Sequence, residues 1–266
     1  MIVFEERRGR HTLRINQDGD RYIGVADVSG EILETFEDDE LHRLKRRMRQ
    51  VVDVQDARYF GMEGAIRRFL KIFPEGFADA NYRRRERDYK VAASARLGSV
   101  LPLLLARGAT PAQAAAVRPV FNTGILHEAD AVRIGQVLSG PTGSQFVRGA
   151  ALFADRRYSE GMKAMETATR PYGKASWSMV TYLPWLWLPS EHILLRPRTS
   201  TDFATRTGHD FAHEYEDTLF ADVYRTMLDL VGAIRMDLAR LEPADMIDIQ
   251  GFLWVVGKYH DAEAIG

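Results

Sequence analysis

The feature that most limits the fold of this chain is a change of texture near residue 40. Residues 1–36 alternate short β-favouring runs with tight turns, and beyond them apolar residues recur mostly at helical spacing. Strands first and helices later predict an α+β protein: a small N-terminal antiparallel sheet with a helix, followed by a larger mainly helical domain. A doubly wound parallel sheet would need strands and helices in alternation, which this order lacks.

Residues 2–8, 12–15, 22–28 and 32–36 read as strands, with turns at Asn16-Gln17-Asp18-Gly19 and Ser29-Gly30, where Asn, Asp and Gly tolerate left-handed angles. A helix is expected to start between Thr35 and Asp38, whose spacing approximates a capping box. Leu41, Leu44, Met48 and Val51 or Val52 then form an apolar stripe that would cover one face of the sheet. The expected divisions are a sheet-and-helix module over 1–52, a mainly helical domain over 53–260 and a tail over 261–266. Further helices are expected at 63–73, 82–106 with a break at 98–102, 111–118, 128–138, 143–154 and 158–169. Residues 177–187 should be buried, and Pro189 and Pro197 bracket a loop holding Ile193, Leu194 and Leu195. One long helix over 211–241, weakest at Gly232, and a last helix over 244–256 complete the expectation.

The chain has no cysteine, which excludes disulfides, thiol catalysis and a Cys-based zinc finger and suits a cytoplasmic protein. Glu and Arg occupy the first ten residues where a signal peptide needs an apolar core. The longest apolar runs, 100–106 and 179–189, fall short of the roughly 20 residues that cross a bilayer, so no membrane role is expected. Net charge is −1, but residues 1–100 hold 20 Lys/Arg against 18 Asp/Glu and residues 201–266 hold 5 against 13. An acidic C-terminal part can mask a basic face, meet a basic partner or simply aid solubility.

Two stretches carry candidate chemistry. The first is an arginine and tyrosine surface formed by Arg43, Arg46, Arg47, Arg67, Arg68, Tyr82, Arg83, Arg84, Arg85, Arg87 and Tyr89. Guanidinium groups grip phosphates in a bidentate way, and tyrosines stack on exposed bases, so this surface suits DNA or RNA. The competing account is a solvated surface: acids at 37–40 precede the basic run as a helix dipole favours, and Arg84/Asp88 and Glu86/Lys90 are ordinary i,i+4 pairs. No helix-turn-helix, RNA-recognition or basic-zipper signature accompanies the stretch.

The second is His209-Asp210-Phe211-Ala212-His213. On one helix, His209, His213 and Asp217 would share a face and could hold a divalent metal through two nitrogens and an oxygen. Gly208 argues for a helix start there, Asp is a shorter arm than the Glu of a metallopeptidase helix, and no third histidine follows nearby. No cofactor is assigned from the sequence.

Weaker features have structural readings. Gly140-Pro141-Thr142-Gly143-Ser144 lacks the lysine of a phosphate loop and reads as a helix start. Asp245 and Asp248 suit the first turn of a helix, and Trp177, Tyr182, Trp185 and Trp187 suit a core, although aromatic rings can also wall a pocket. Three function classes follow: a nonenzymatic nucleic-acid-associated protein, a metal-dependent hydrolase using His209 and His213, and a protein-interaction or self-association module.

Overall fold

The computed structural model describes residues 1–8 and 10–259, and the expected 261–266 tail lies outside the described residues. Strands β1 (Ile2–Arg8), β2 (His11–Asp18), β3 (Arg21–Val28) and β4 (Glu31–Asp38) form an antiparallel meander in the order β1-β2-β3-β4. Gly19 and Gly30 adopt positive φ at the β2–β3 and β3–β4 turns. Register pairs Leu13 with Ala26, Ile15 with Gly24, and Gly24 with Phe36, which places the apolar side chains on one face.

Helix α1 (Leu41–Asp53) lies across that face. Leu44, Met48 and Val52, each one turn apart, bury against Leu13, Ile15, Ala26 and Phe36 as a separate small core. Gly24 permits the contact, because a Cβ there would stand 2.3 Å from Met48 Sδ. Thr35 and Asp38 belong to β4, so the helix starts later than expected and without a capping box. Glu40 is the N-cap residue but makes no side-chain cap; the Glu40 amide instead donates to Asp38 Oδ1.

The helical body contains α2 (Gly61–Ile72), α3 (Ala80–Tyr82), a π-turn over Arg83–Arg87, α4 (Asp88–Val100), α5 (Leu103–Ala106) and α6 (Pro111–Val117). Then come α7 (Glu128–Ser139), α8 (Gly143–Ala154), α9 (Tyr158–Thr169), α10 (Trp177–Trp187) and α11 (Pro197–Thr207). The last are α12 (Phe211–Glu214), α13 (Ala221–Asp237) and α14 (Met246–Lys258). Helix α8 pairs with α9 and α10, while α14 is packed by α2, α11 and α13. Their apolar faces build one core around Phe69, Tyr82, Trp177, Trp185, Phe203 and Phe252.

The expected helix over 211–241 is two helices. Chain from Tyr215 to Phe220 separates α12 from α13, and Gly232 lies within an unbroken α13. Helix α11 was not anticipated. Within it Thr201, Thr205 and Thr207 donate to the carbonyls of Pro197, Thr201 and Phe203, which satisfies their hydroxyls inside the helix. Among the described residues no helix is long and apolar enough to cross a membrane.

Candidate functional site

The basic segment around residue 85 is sorted by the π-turn into an inner and an outer face. Asp79 caps its start, accepting from the amides of Asn81 at 2.8 Å and Tyr82 at 3.4 Å. The π-turn adds a residue to the helical register, a feature that often re-aims side chains. Facing inward, Tyr82 is fully buried and meets Phe69, Phe73 and Phe77 edge to face. Its hydroxyl donates to Asp248 Oδ1 at 2.9 Å, and burial followed by the Asp248 charge raises its pKa. Tyr82 is therefore a core residue, and stacking on a base is closed to it.

Glu86 and Lys90 are 3% and 1% exposed. Lys90 Nζ donates to Glu86 Oε2 at 3.1 Å, and Tyr259 donates to Glu86 Oε1 at 2.7 Å. The expected solvated i,i+4 pair is thus a buried one. Desolvation outweighs the attraction of Glu86 and lowers the Lys90 pKa to about 8. Arg87 grips Asp245 through two 2.9 Å bonds and reaches Asp248 at 2.8 Å, which ties the segment to α14 and raises its own pKa. Asp245 also caps α14, accepting from the Ile247 and Asp248 amides.

The outer face differs. Arg83, Arg84 and Arg96 are exposed, and Arg84 donates to Asn81 Oδ1 at 2.7 Å. Arg85 lies over the Tyr259 ring, 4.8 Å from its centroid. Tyr89 is 37% exposed.

The other predicted cations are held by the protein itself. Arg43 meets Asp38 at 2.8 and 2.9 Å and also contacts Asp39, and this guanidinium holds the Asp38 carboxyl well below the usual range. Arg47 reaches Asp38 and the Glu37 carbonyl, Arg46 binds Asp210 at 3.0 Å, and Arg67 pairs with Glu63 one turn away. Arg68 donates to the carbonyls of Val256 and Tyr259, closing the end of α14. Residues 1–53 hold ten Lys/Arg against twelve Asp/Glu, so the small module carries no positive excess.

The histidines are separated by the fold. Gly208, at φ 71°, ends α11 in a left-handed conformation, and α12 lasts only four residues. His209 precedes α12 and Asp217 follows it, so the expected shared face over His209, His213 and Asp217 does not form. His209 Nδ1 accepts from the Phe211 amide at 3.1 Å, and burial lowers its pKa. Asp217 accepts the Tyr215 hydroxyl at 2.6 Å. Among the described residues no group of three or more His, Asp or Glu side chains is arranged to hold a metal ion.

His213 instead belongs to a charged seam between the small module and the body. Its side chain has no exposure; Nε2 lies 2.9 Å from Asp53 Oδ2 and Nδ1 lies 3.4 Å from Glu6 Oε1. Buried Arg49 bonds Glu6 at 3.0 Å and approaches Glu214 at 3.4 Å and Asp210 at 3.5 Å. Glu214 in turn accepts from Thr226 at 3.0 Å. Glu6, Arg49 and Asp53 escaped sequence reasoning because they come from segments distant from the histidine stretch; one available signal was Asp53, a lone acid following the apolar Val51-Val52.

The remaining features are structural. Thr142 of the glycine-rich loop donates to the Ala168 carbonyl at 2.8 Å, and Trp177 Nε1 donates to Glu216 O at 2.8 Å from within the core. A depression of about 450 Å³ beside α7 is lined by Arg118, Phe121, Glu128, Val132 and neighbouring residues. Comparison with known proteins gives no match: no family model, no curated protein and no solved structure is similar to this chain.

Proposed function

We propose that this protein is a nonenzymatic nucleic-acid-associated protein whose contact surface is the outer face of residues 83–96. The observation that carries this reading is the sorting of charge: Glu86 is withdrawn against Lys90 and Tyr259, while Arg83, Arg84 and Arg96 stand in solvent. Asp88 is the exposed acid among them. Tyr89 and Arg96 are seven residues apart, hence two turns along one helix face, and would offer a ring and a guanidinium to one strand. Residues 54–100 hold ten Lys/Arg against six Asp/Glu, an excess that favours a polyanion. Arg43, Arg46, Arg47 and Arg67 contribute less, because carboxylates of the same chain already hold them.

The test is a titration of nuclease-treated protein against labelled duplex DNA, single-stranded DNA and RNA at low and near-physiological salt. Binding should weaken with salt, and Arg83→Ala with Arg84→Ala should flatten the salt slope by about 1 for each lost phosphate contact. Absence of binding at low salt removes the proposal.

A second reading, a protein-interaction or assembly module, draws on Val100, Leu104 and Leu105, which are 38%, 70% and 54% exposed beside one another in sequence. Concentration-dependent self-association that ignores nucleic acid would select it.

A further inference from the structure

We propose that the nucleic acid held by this protein is an unpaired strand, seated on Tyr89 and Arg196 where α4, the start of α11 and the end of α14 meet. The inference rests on the nucleic-acid function proposed for residues 83–96. Arg196 is the N-cap residue of α11, and its guanidinium lies over the Trp254 ring of α14, 4.0 Å from the centroid. Both residues are partly buried.

Arg196 differs from the arginines that the protein already holds. Arg43, Arg46, Arg47, Arg67 and Arg87 each meet a carboxylate. Arg196 makes no ion pair and no hydrogen bond among the described residues. Glu86 acts on it only at longer range, and both Glu86 oxygens are taken, by Lys90 and Tyr259. Burial lowers the Arg196 pKa, yet a guanidinium stays ionised at neutral pH. A cation that has already lost water, and that an indole holds flat, gains more from an arriving phosphate than a solvated, mobile arginine does.

The surroundings extend the site. Tyr89 is 37% exposed and lies within electrostatic range of Arg196, which makes the site continuous with the outer face of residues 83–96. A Cβ on Gly257 would stand 3.6 Å from Thr199 Cγ2, so the first turn of α11 touches the last turn of α14. Arg198 in that first turn and Lys258, one turn beyond Trp254, are exposed and form no ion pair among the described residues. Asp202, the acid one turn after Arg198, is engaged by Arg58 and Arg206. Aromatic and cationic groups therefore stand together here without a competing carboxylate on the guanidinium.

That pairing favours an unpaired strand. A duplex keeps its base faces inside the stack and would offer this site phosphate alone, leaving the Tyr89 ring unused. An unpaired strand brings a base face to Tyr89 and a phosphate to Arg196 at once. DNA and RNA strands share this chemistry.

Titration of the intact protein at near-physiological salt with oligo-dT, oligo-U and a duplex DNA of equal length tests the inference. Either single strand should bind at least about tenfold more tightly than the duplex, and the better of the two identifies the sugar. Arg196→Ala and Tyr89→Leu should each weaken the single-strand complex by about tenfold and narrow its advantage over the duplex, whereas Arg83→Ala with Arg84→Ala should weaken both complexes. Equal affinity for duplex and single strands overturns the inference and leaves the nucleic-acid function standing, as does wild-type single-strand affinity in Arg196→Ala. Should Arg196→Ala fail to fold, Tyr89→Leu decides by the same measure. No binding of any of the three at low salt overturns the nucleic-acid function and this inference with it.

Discussion

The helical body and the seam bury charge in opposite ways. In the body, Glu86 and Lys90 meet one to one on a single helical segment, and Tyr259 fills the remaining oxygen. At the seam, acids from β1, α1, α12 and the chain before it converge on Arg46, Arg49 and His213. The body's pair is so dry that desolvation loosens the lysine proton despite a carboxylate 3.1 Å away. The seam stays partly wet, since Arg46 and Glu214 side chains are 63% and 31% exposed. A dry one-to-one pair fixes one arrangement, whereas a cluster spread over four segments and open to water at its rim stays answerable to competing ions.

The largest effect should come from breaking the dry pair. Glu86→Leu strands Lys90 in the core and should cost about 3–5 kcal/mol in urea unfolding, with much of it recovered when Lys90→Met is added. A loss below about 1 kcal/mol would mean that the pair is not buried charge in solution. The same pair predicts a pH response. Lys90 titrates at about 8 in the folded chain and at about 10.5 unfolded. Between those values the unfolded chain holds more protons, so stability rises with pH across the window, and below about 8 the desolvation cost is fully present. Subtracting the profile of Lys90→Met removes the tyrosine contribution, and a flat difference would contradict the assignment.

Arg49→Ala should cost less, about 2–3 kcal/mol, because the seam is partly solvated. Its signature is regional: β1 and α1 should lose exchange protection before α8 and α9, and uniform loss would show that the module and body unfold together. The smallest effect belongs to Arg83→Ala with Arg84→Ala, within about 0.5 kcal/mol in unfolding, since both side chains stand in solvent. A larger loss would place these arginines among the packing residues and weaken the nucleic-acid proposal.

Much of this fold was legible locally. Helices over 143–154 and 158–169 fall where apolar spacing put them, and the meander follows from Asn, Asp and Gly turns between alternating runs. The failures share a cause, which is that local propensity is blind to partners supplied from elsewhere. Residues 211–241 contain no proline and read as one helix, yet the chain breaks over Tyr215–Phe220, where Trp177 takes the Glu216 carbonyl. The charged sites suffered most. Glu86/Lys90 looks like surface decoration until α14 and Tyr259 cover it, and His209/His213 looks like a ligand pair until Gly208 and a four-residue helix part them. Spacing shows who shares a helix face; it does not show which face is wet.

The anchoring of Tyr82, Glu86 and Arg87 by α14 also sets a schedule. Their partners Asp248, Tyr259 and Asp245 lie 166, 173 and 158 residues farther along the chain. On a ribosome the first half of the body would emerge with Glu86 and Lys90 still seeking water, because the groups that seal them have not been made. Helices α2 to α4 would therefore wait in a loose, hydrated state, and the body would close as a late event rather than from its N-terminal end.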